Sequence, residues 1–423
     1  MTKPVEMVEV NRIIPVFKDG QEANSIQVIN FKFKDGNECG YNVIARKGLY
    51  EIGSKAVYIQ PDYCLSDIEL FKSFTMPDND PKKSRLGKNN RIRAIKFNFS
   101  FENTTDPIYS FGVMLPKDEV DAFIKMDCDV DDITDILGIT KYEEPETAGY
   151  GMAAGDFPSF MYRTDEENIN NLKSKVSELC DGNTIFGVTI KHDGSSHTTY
   201  FKNENGEYKF GVCSRTLEKK LEQKRITGYV DEDNNSYHQY INPETKEKGW
   251  FCDTTNIFKT NNEVSDLTPV FLEVKDTWVD LAFSTGLIEN GLAYCKEHGL
   301  ELAFRGEIYG QGLKGSGNKY NPDANKKQTL RIFGVDDLST GFSKRLNYSS
   351  PHNLETICVA LGLDYTKPEL VKPTSYKDLC DFCDAIIARE KNDGRIIEGV
   401  VIRTHYTNQI SCKYMNPEYD AKK

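Results

Sequence analysis

The sequence predicts an α+β protein of two domains: an antiparallel β-barrel at the N-terminus, then a larger domain of mostly antiparallel sheets flanked by helices. Three observations lead there. The chain has 423 residues, more than one ordinary core holds, since domains cluster near about 100–200 residues. Its first quarter consists of short alternating runs broken by Gly, Asp and Asn. Beyond about residue 160, strand-like and helix-like segments interleave without the steady alternation that builds a parallel sheet.

Each element follows from its local pattern. In residues 1–140 the runs "IQVINFKF", "GYNVIA", "KAVYIQP", "RIRAIKFNF" and "YSFGVMLP" read as strands of a small barrel. Residues 141–160, punctuated by Pro and Gly, read as a linker. In the second domain, 161–423, "TDEENINNLKSKVSELC" is expected to be a helix capped by Thr164, with Glu166 and Glu167 in its first turn. "TPVFLEVKDTWVDLAFSTGLIENGLAYCKEHG" and "YKDLCDFCDAIIAREKN" are expected to be helical. The polar tract from Asp231 to Asn262 reads as a long, mobile loop or insertion.

Composition excludes several classes. No apolar run approaches the roughly 20 residues of a membrane span, and "MTKPVEMVEVNRIIPVF" lacks the pattern of a signal peptide, so a soluble cytoplasmic protein is expected. Eleven scattered cysteines suit a reducing compartment. Cys380 and Cys383 have no second ligand pair for zinc and read as helix residues. A net charge of −12 argues against a generic nucleic-acid coat. Even so, Lys82, Lys83, Arg85, Lys88, Arg91 and Arg93 gather within "PKKSRLGKNNRIRAIKF" with almost no acid. That cluster is either a nucleic-acid-facing strip or a solvated loop. Phe97, Phe99 and Phe101 alternate beside it, as a stacking face or as barrel core.

The stretch "GVTIKHDGSS" carries the chemistry. It delivers Lys191 to the end of a strand, with Asp193 projecting to the same side and Gly194 permitting close approach. A lysine amine is nucleophilic once deprotonated, which calls for a depressed pKa. Downstream, in order, stand "CSRT" (Cys213–Thr216), "FRGEIYG" (Phe304–Gly310), "RIFGVDDL" (Arg331–Leu338), "EGVVIR" (Glu398–Arg403) and "SCKYMN" (Ser411–Asn416). This ordered set resembles the motif series of covalent nucleotidyltransferases, the superfamily of ATP-dependent DNA and RNA ligases and mRNA capping enzymes. The segments "RIRAIKF", "LGITKYEEPE" and "FPSFMYRTDEENINN" narrow the resemblance to ATP-dependent RNA ligases with an OB-like N-terminal domain. DNA ligases and capping enzymes typically carry that domain after the catalytic one.

The resemblance implies an OB-like barrel followed by an adenylyltransferase domain with the ATP-grasp-like ligase fold. It implies a reaction in which Lys191 takes AMP from ATP and a 5′-phosphate end then receives it, before a 3′-hydroxyl seals the strand. Lys413 would contact the α-phosphate, Glu307 the ribose or a metal, Phe333 the adenine, and Arg215 nucleotide or nucleic-acid phosphate. Asp193, Glu307 and Glu398 would organise Mg2+ or Mn2+. The implied partner is RNA, as a nicked duplex or an RNA/DNA hybrid, and the chain is expected to act as a monomer. Two departures stand out: Thr189 and Ile190 replace a glutamate often found before the lysine, and Ser411 stands where the last motif commonly has lysine. Gly310, Gly312, Gly315 and Gly317 lack a P-loop ending and are expected to form a flexible turn. A DNA ligase, a GTP-dependent capping guanylyltransferase and a non-catalytic nucleic-acid-binding protein remain as alternatives.

Overall fold

Alternating hydrophobic residues build the N-terminal unit around one long strand. A computed structural model of the chain describes residues 3–101, 107–129, 132–142, 153–222, 224–313 and 325–422. Strand β1 (Val5–Lys18) pairs antiparallel with β2 (Gln21–Phe33) over most of its length, and its first five residues also pair with β4 (Lys55–Ile59). Irregularities in the β1–β2 register next to Val10 and Pro15 bend the strand, as bulges do where a sheet curls. With β3 (Val43–Arg46) and β5 (Val113–Pro116) the order is β3-β2-β1-β4-β5. The two edges approach one another: Phe111 N–H donates to Asn42 O at 2.9 Å and Ile44 N–H to Ser110 Oγ at 2.9 Å. The result is a barrel-like sheet with Val8, Val10, Phe31 and Tyr58 in its core. Phe97, Phe99 and Phe101 pack with Ile14, Val16 and Val28, so their alternation serves the core.

The larger unit holds two sheets. In one, β6 (Phe186–Lys191) lies between β11 (Gly399–Thr404) and the short strand Glu369–Val371, and β12 (Ser411–Met415) lies outside β11. In the other, β7 (Ser195–Glu204), β8 (Glu207–Cys213), β9 (Leu302–Tyr309) and β10 (Thr329–Asp337) form the middle of seven strands. The helix expected from Tyr376 is present as Tyr376–Asn392, and its face bearing Leu379, Cys383 and Ile386 packs on the first sheet. Leu287–His298 and Leu354–Leu361 cover the second sheet through Leu287, Cys295, Ile357 and Cys358.

Three expectations change. The helix expected from Thr164 begins only at Lys173 and runs to Leu179. Before it, Glu167–Asn168 adds as a short strand parallel to Cys412–Lys413, because the acidic residues there are drawn into tertiary ion pairs described below. The tract read as a mobile loop is a five-stranded antiparallel sheet running from Lys224 to Glu273. Its own core contains Tyr237, Trp250, Cys252, Val264 and Leu267. The first part of the expected helix from Thr268 is the last strand of that sheet, and helix begins at Thr277. Half of the expected linker, 143–152, together with Gly315 and Gly317, lies outside the described residues.

The barrel and the larger unit meet through polar contacts. Gly40 N–H donates to Asn170 O at 2.8 Å, Asn171 Nδ2 to Gln60 Oε1 at 3.0 Å, and Lys173 Nζ to Glu38 Oε2 at 2.8 Å. No described helix is long and apolar enough to cross a membrane.

Candidate active site

The chain changes sheets at Lys191. β6 ends there, opposite Gly399 of β11, and after His192, Asp193 and Gly194 the chain enters β7 of the other sheet, with Ser195 opposite Ile308. This explains a cation, a carboxylate and a glycine at a strand end: the three residues sit where the chain crosses from one sheet to the other. A Cβ on Gly194 would lie 2.2 Å from the Ile308 carbonyl oxygen, so only glycine allows the crossing. Gly399 has φ +151° and approaches the Tyr414 carbonyl as closely, which sets Glu398 at the mouth of β11. His192 stacks on Tyr309 with ring centroids 5.2 Å apart, and its Nε2 lies 3.1 Å from Thr366 Oγ1.

The charges converge on the lysine. Lys191 Nζ donates to Glu398 Oε2 at 2.6 Å, with the lysine side chain 28% exposed and the glutamate 11%. Burial opposes the ammonium, but Glu398, Glu307 and Asp193 outweigh it and hold Lys191 above the ordinary lysine value. The depressed amine expected from the sequence is therefore not the resting state, because the nearest charges are carboxylates. Burial pushes Glu307 up to about 8, helped by Glu398 and Asp193 and opposed by Lys191 and Arg215. Asp193 is buried and hydrogen-bonded by the Tyr419 hydroxyl.

Asp193, Glu307 and Glu398 thus come together, but around an ammonium. Among the described residues no three Asp, Glu, His or Cys side chains form a ready metal cage. The donor set is hard and all-oxygen, which fits Mg2+ or Mn2+ taking most of its ligands from phosphate oxygens and water.

A second charge cluster lies beside the first. Asp165 is shared by three cations: Lys413 Nζ at 3.6 Å, Arg215 Nη2 at 3.7 Å, and Lys141 in closer contact. Although burial opposes it, Lys413, Lys141 and Arg215 hold Asp165 below the usual carboxylate range. Lys413 lies on the Lys191 face of its sheet, since the cross-strand rows Lys191–Gly399–Met415 and Thr189–Val401–Lys413 are two residues apart. Along the same face, Arg403 Nη2 donates to Glu166 Oε1 at 2.6 Å and Arg403 Nε to Ser411 Oγ at 3.0 Å. A guanidinium thus stands against the serine of the last motif.

Phe333 is the unpaired residue of a bulge in β10, where Arg305 pairs with Gly334 and Gly306 with Ile332. Alternation places Phe333 opposite the core residues Ile332 and Val335, on the side that carries Arg305 and Glu307. Behind it, Arg305 is 1% exposed and donates to Asp336 Oδ2 at 2.9 Å, while Arg345 Nε donates to Asp336 Oδ1 at 2.6 Å. Sequence reasoning missed Asp165, Glu166, Arg403, Asp336 and Tyr419. Asp165 and Glu166 looked like a helix start, Asp336 and Arg403 lay inside quoted motifs without being given a role, and no local pattern marked Tyr419.

The basic segment divides in two. Lys82, Lys83, Arg85 and Lys88 are exposed, with Lys83 paired to Asp78 at 2.8 Å and Arg85 over the Phe97 ring at 4.9 Å. Arg91 is 12% exposed, pairs with Asp62 and Asp420, and lies 4.9 Å from the centre of the Tyr142 ring. Arg93 donates to the backbone oxygens of Arg85 and Ala421 at 3.3 Å each. Arg91 and Arg93 are both half-buried and engaged by partners within the protein.

No family model matches the chain, and no curated protein matches it in sequence. Among solved structures it is similar to a Naegleria gruberi RNA ligase mutant with AMP and Mn, with a TM-score of 0.63, 20% identity, and coverage of 99% of this chain and 98% of that one. A Naegleria gruberi RNA ligase mutant with ATP and Mn gives a TM-score of 0.64 at 20% identity, covering 99% and 97%. The Naegleria gruberi RNA ligase with PPi gives 0.64 at 20% identity, covering 100% and 99%. From barrel to last strand, this chain shares the fold of the Naegleria gruberi RNA ligase.

Proposed function

We propose that the protein is an ATP-dependent RNA ligase that joins 3′-hydroxyl and 5′-phosphate ends through a lysyl-AMP and an adenylylated end. The observation that carries this is Lys191, held at a cleft between two sheets with Glu398, Glu307 and Asp193 around its amine and Lys413 on the same face. Support comes from the Naegleria gruberi RNA ligase, which shares the fold and has structures with AMP and Mn, with ATP and Mn, and with PPi. In the first step Nζ bonds to the α-phosphorus of ATP while the bond to the β-phosphate oxygen breaks and pyrophosphate leaves. The proton that Lys191 must shed lies on a 2.6 Å hydrogen bond to Glu398 Oε2. A divalent ion held by phosphate oxygens, with Asp193, Glu307 and Glu398 near it, would supply positive charge at the transferring phosphate. Lys413 and Arg215 supply further cations, and Phe333 an aromatic face for the adenine.

We read the barrel-like sheet of order β3-β2-β1-β4-β5, with β3 near β5, as an OB-like barrel. We read this unit, residues 1–140, as holding RNA through Lys82, Lys83, Arg85 and Lys88, with residues 161–423 as the adenylyltransferase domain. A nicked RNA duplex or an RNA/DNA hybrid is the substrate proposed, and a monomer the working state.

The test is labelling with α-labelled ATP or GTP and Mg2+ or Mn2+, comparing wild type with Lys191→Ala. An AMP adduct present only with Lys191, followed by sealing of nicked RNA, is expected. A GMP adduct would redirect the reading to capping, and sealing of DNA alone to a DNA ligase. No adduct on protein shown by mass to be unmodified would overturn nucleotidyl transfer.

A further inference from the structure

We propose that Tyr419 and Asp420, on the short C-terminal helix Pro417–Lys422, are positioning residues that tie Asp193 to the docked N-terminal unit. The inference rests on the nucleotidyl-transfer reading and adds to it a mechanical link between the barrel and the reactive turn. The helix follows β12 directly. At its start Asn416 N–H donates to the Glu398 carbonyl at 2.9 Å and Asn416 Nδ2 to the Ile397 carbonyl at 3.0 Å. Asp420 N–H donates in turn to Asn416 O at 3.1 Å. The residues just before and at Glu398 are thereby fixed to the helix.

Neighbouring residues of a helix point about 100° apart, and here the two reach in different directions. Tyr419 is 3% exposed, and its hydroxyl bonds Asp193. Asp420 is 8% exposed; its Oδ2 accepts from Ala94 N–H at 2.8 Å, and its Oδ1 lies 3.5 Å from Arg91 Nη2. Arg91 is itself held by Asp62 and covered by Tyr142, and Arg93 Nη1 donates to the Ala421 carbonyl at 3.3 Å. A path therefore runs from the segment 91–94 by hydrogen bonds to Asp420, along the backbone to its neighbour Tyr419, and by the tyrosine hydroxyl to Asp193. Group transfer is sensitive to shifts of about 1 Å in the reacting groups. A carboxylate anchored in this way keeps its place beside Lys191 only while the helix stays clamped.

Tyr419→Phe removes one hydroxyl and keeps the ring, and Asp420→Ala cuts the tie to Ala94 and Arg91. Asp420→Asn keeps an oxygen acceptor for Ala94 N–H and serves as the conservative control. In nucleotide-free protein, both Tyr419→Phe and Asp420→Ala are expected to speed hydrogen–deuterium exchange at residues 191–194 several-fold, with Tyr419→Phe unfolding like wild type. At saturating ATP their adduct formation is expected to slow about tenfold with KM for ATP within about twofold, the split expected when positioning is impaired. The double variant Tyr419→Phe/Asp420→Ala is expected to be no slower than the slower single, as for residues on one path, and Asp420→Asn to stay near wild type. Wild-type exchange and rate in Tyr419→Phe, a loss confined to KM, or multiplicative losses in the double variant would overturn the proposal. If wild type forms no adduct, the function proposed above fails, while the exchange comparison still decides whether the helix orders the turn.

Discussion

Lys191 and Glu398, 207 residues apart in the chain, meet at 2.6 Å because β6 and β11 pair in antiparallel register and end at the same edge of the cleft. The contact is an ion pair that keeps the Lys191 amine protonated at rest. Glu398→Gln keeps the shape but removes the charge and the proton acceptor. Adduct formation is expected to fall at least about a hundredfold, the scale of missing acid–base and electrostatic help. Single-turnover labelling at saturating ATP measures it.

Arg403 stands against Ser411, where the last motif commonly has lysine. If its guanidinium contributes to holding the triphosphate, Arg403→Ala should weaken adduct formation about tenfold, mainly through KM for ATP, and Arg403→Lys should recover part of the loss. An ATP titration of the labelling rate separates KM from kcat.

Asp336 is fully buried between Arg305 and Arg345. Replacing it with alanine leaves two cations without their shared carboxylate. A loss of about 3–5 kcal/mol is expected for breaking one partner of a buried pair. Chemical denaturation of Asp336→Ala against wild type checks it, and Lys83→Ala, in an exposed pair, should change stability by less than about 1 kcal/mol.

The exposed cations of the basic segment and its clamped arginine should separate experimentally. Changing Lys82, Lys83, Arg85 and Lys88 together to glutamine should weaken RNA binding and flatten its salt dependence. The log–log slope should shrink by up to about 0.7 for each single-strand phosphate that the variant no longer neutralises. Lysyl-AMP formation should persist. Arg91→Ala should instead lower the melting temperature, since it removes the pairs with Asp62 and Asp420.

His197 is completely buried, and burial pushes it down to about 4 against a pull from the Trp278 backbone. An unfolded histidine titrates near 6.5, so below that value the unfolded chain binds a proton that the folded one refuses. Its contribution is fully present above about pH 6.5 and is lost as pH falls toward about 4, amounting to about 3 kcal/mol. The difference between wild type and His197→Gln in denaturation midpoints across pH 4–7 should report this loss.

The features legible from the residues alone are those set by near neighbours along the chain. The alternation in β2, β4 and β5 marks the barrel. The apolar face of Tyr376–Asn392 marks its helix. The order from Lys191 to Lys413 marks the candidate site through its resemblance to the nucleotidyltransferase motif series. Features set by distant partners were not legible. Asp165 and Glu166 have the composition of a helix start, but Lys141, Lys413 and Arg403 draw them into the cleft and delay the helix to Lys173. Arg91 reads as one more phosphate-seeking cation, and Asp420, 329 residues away, turns it into a clamp. The tract 231–262 is polar in composition, yet strand pairing buries Tyr237 and Trp250 into a small core. Local propensity depends on a few adjacent residues. Charge pairing and burial depend on which groups the folded chain brings within a few ångströms, and on that scale the structure assigned Asp165, Arg91 and Tyr419 their partners.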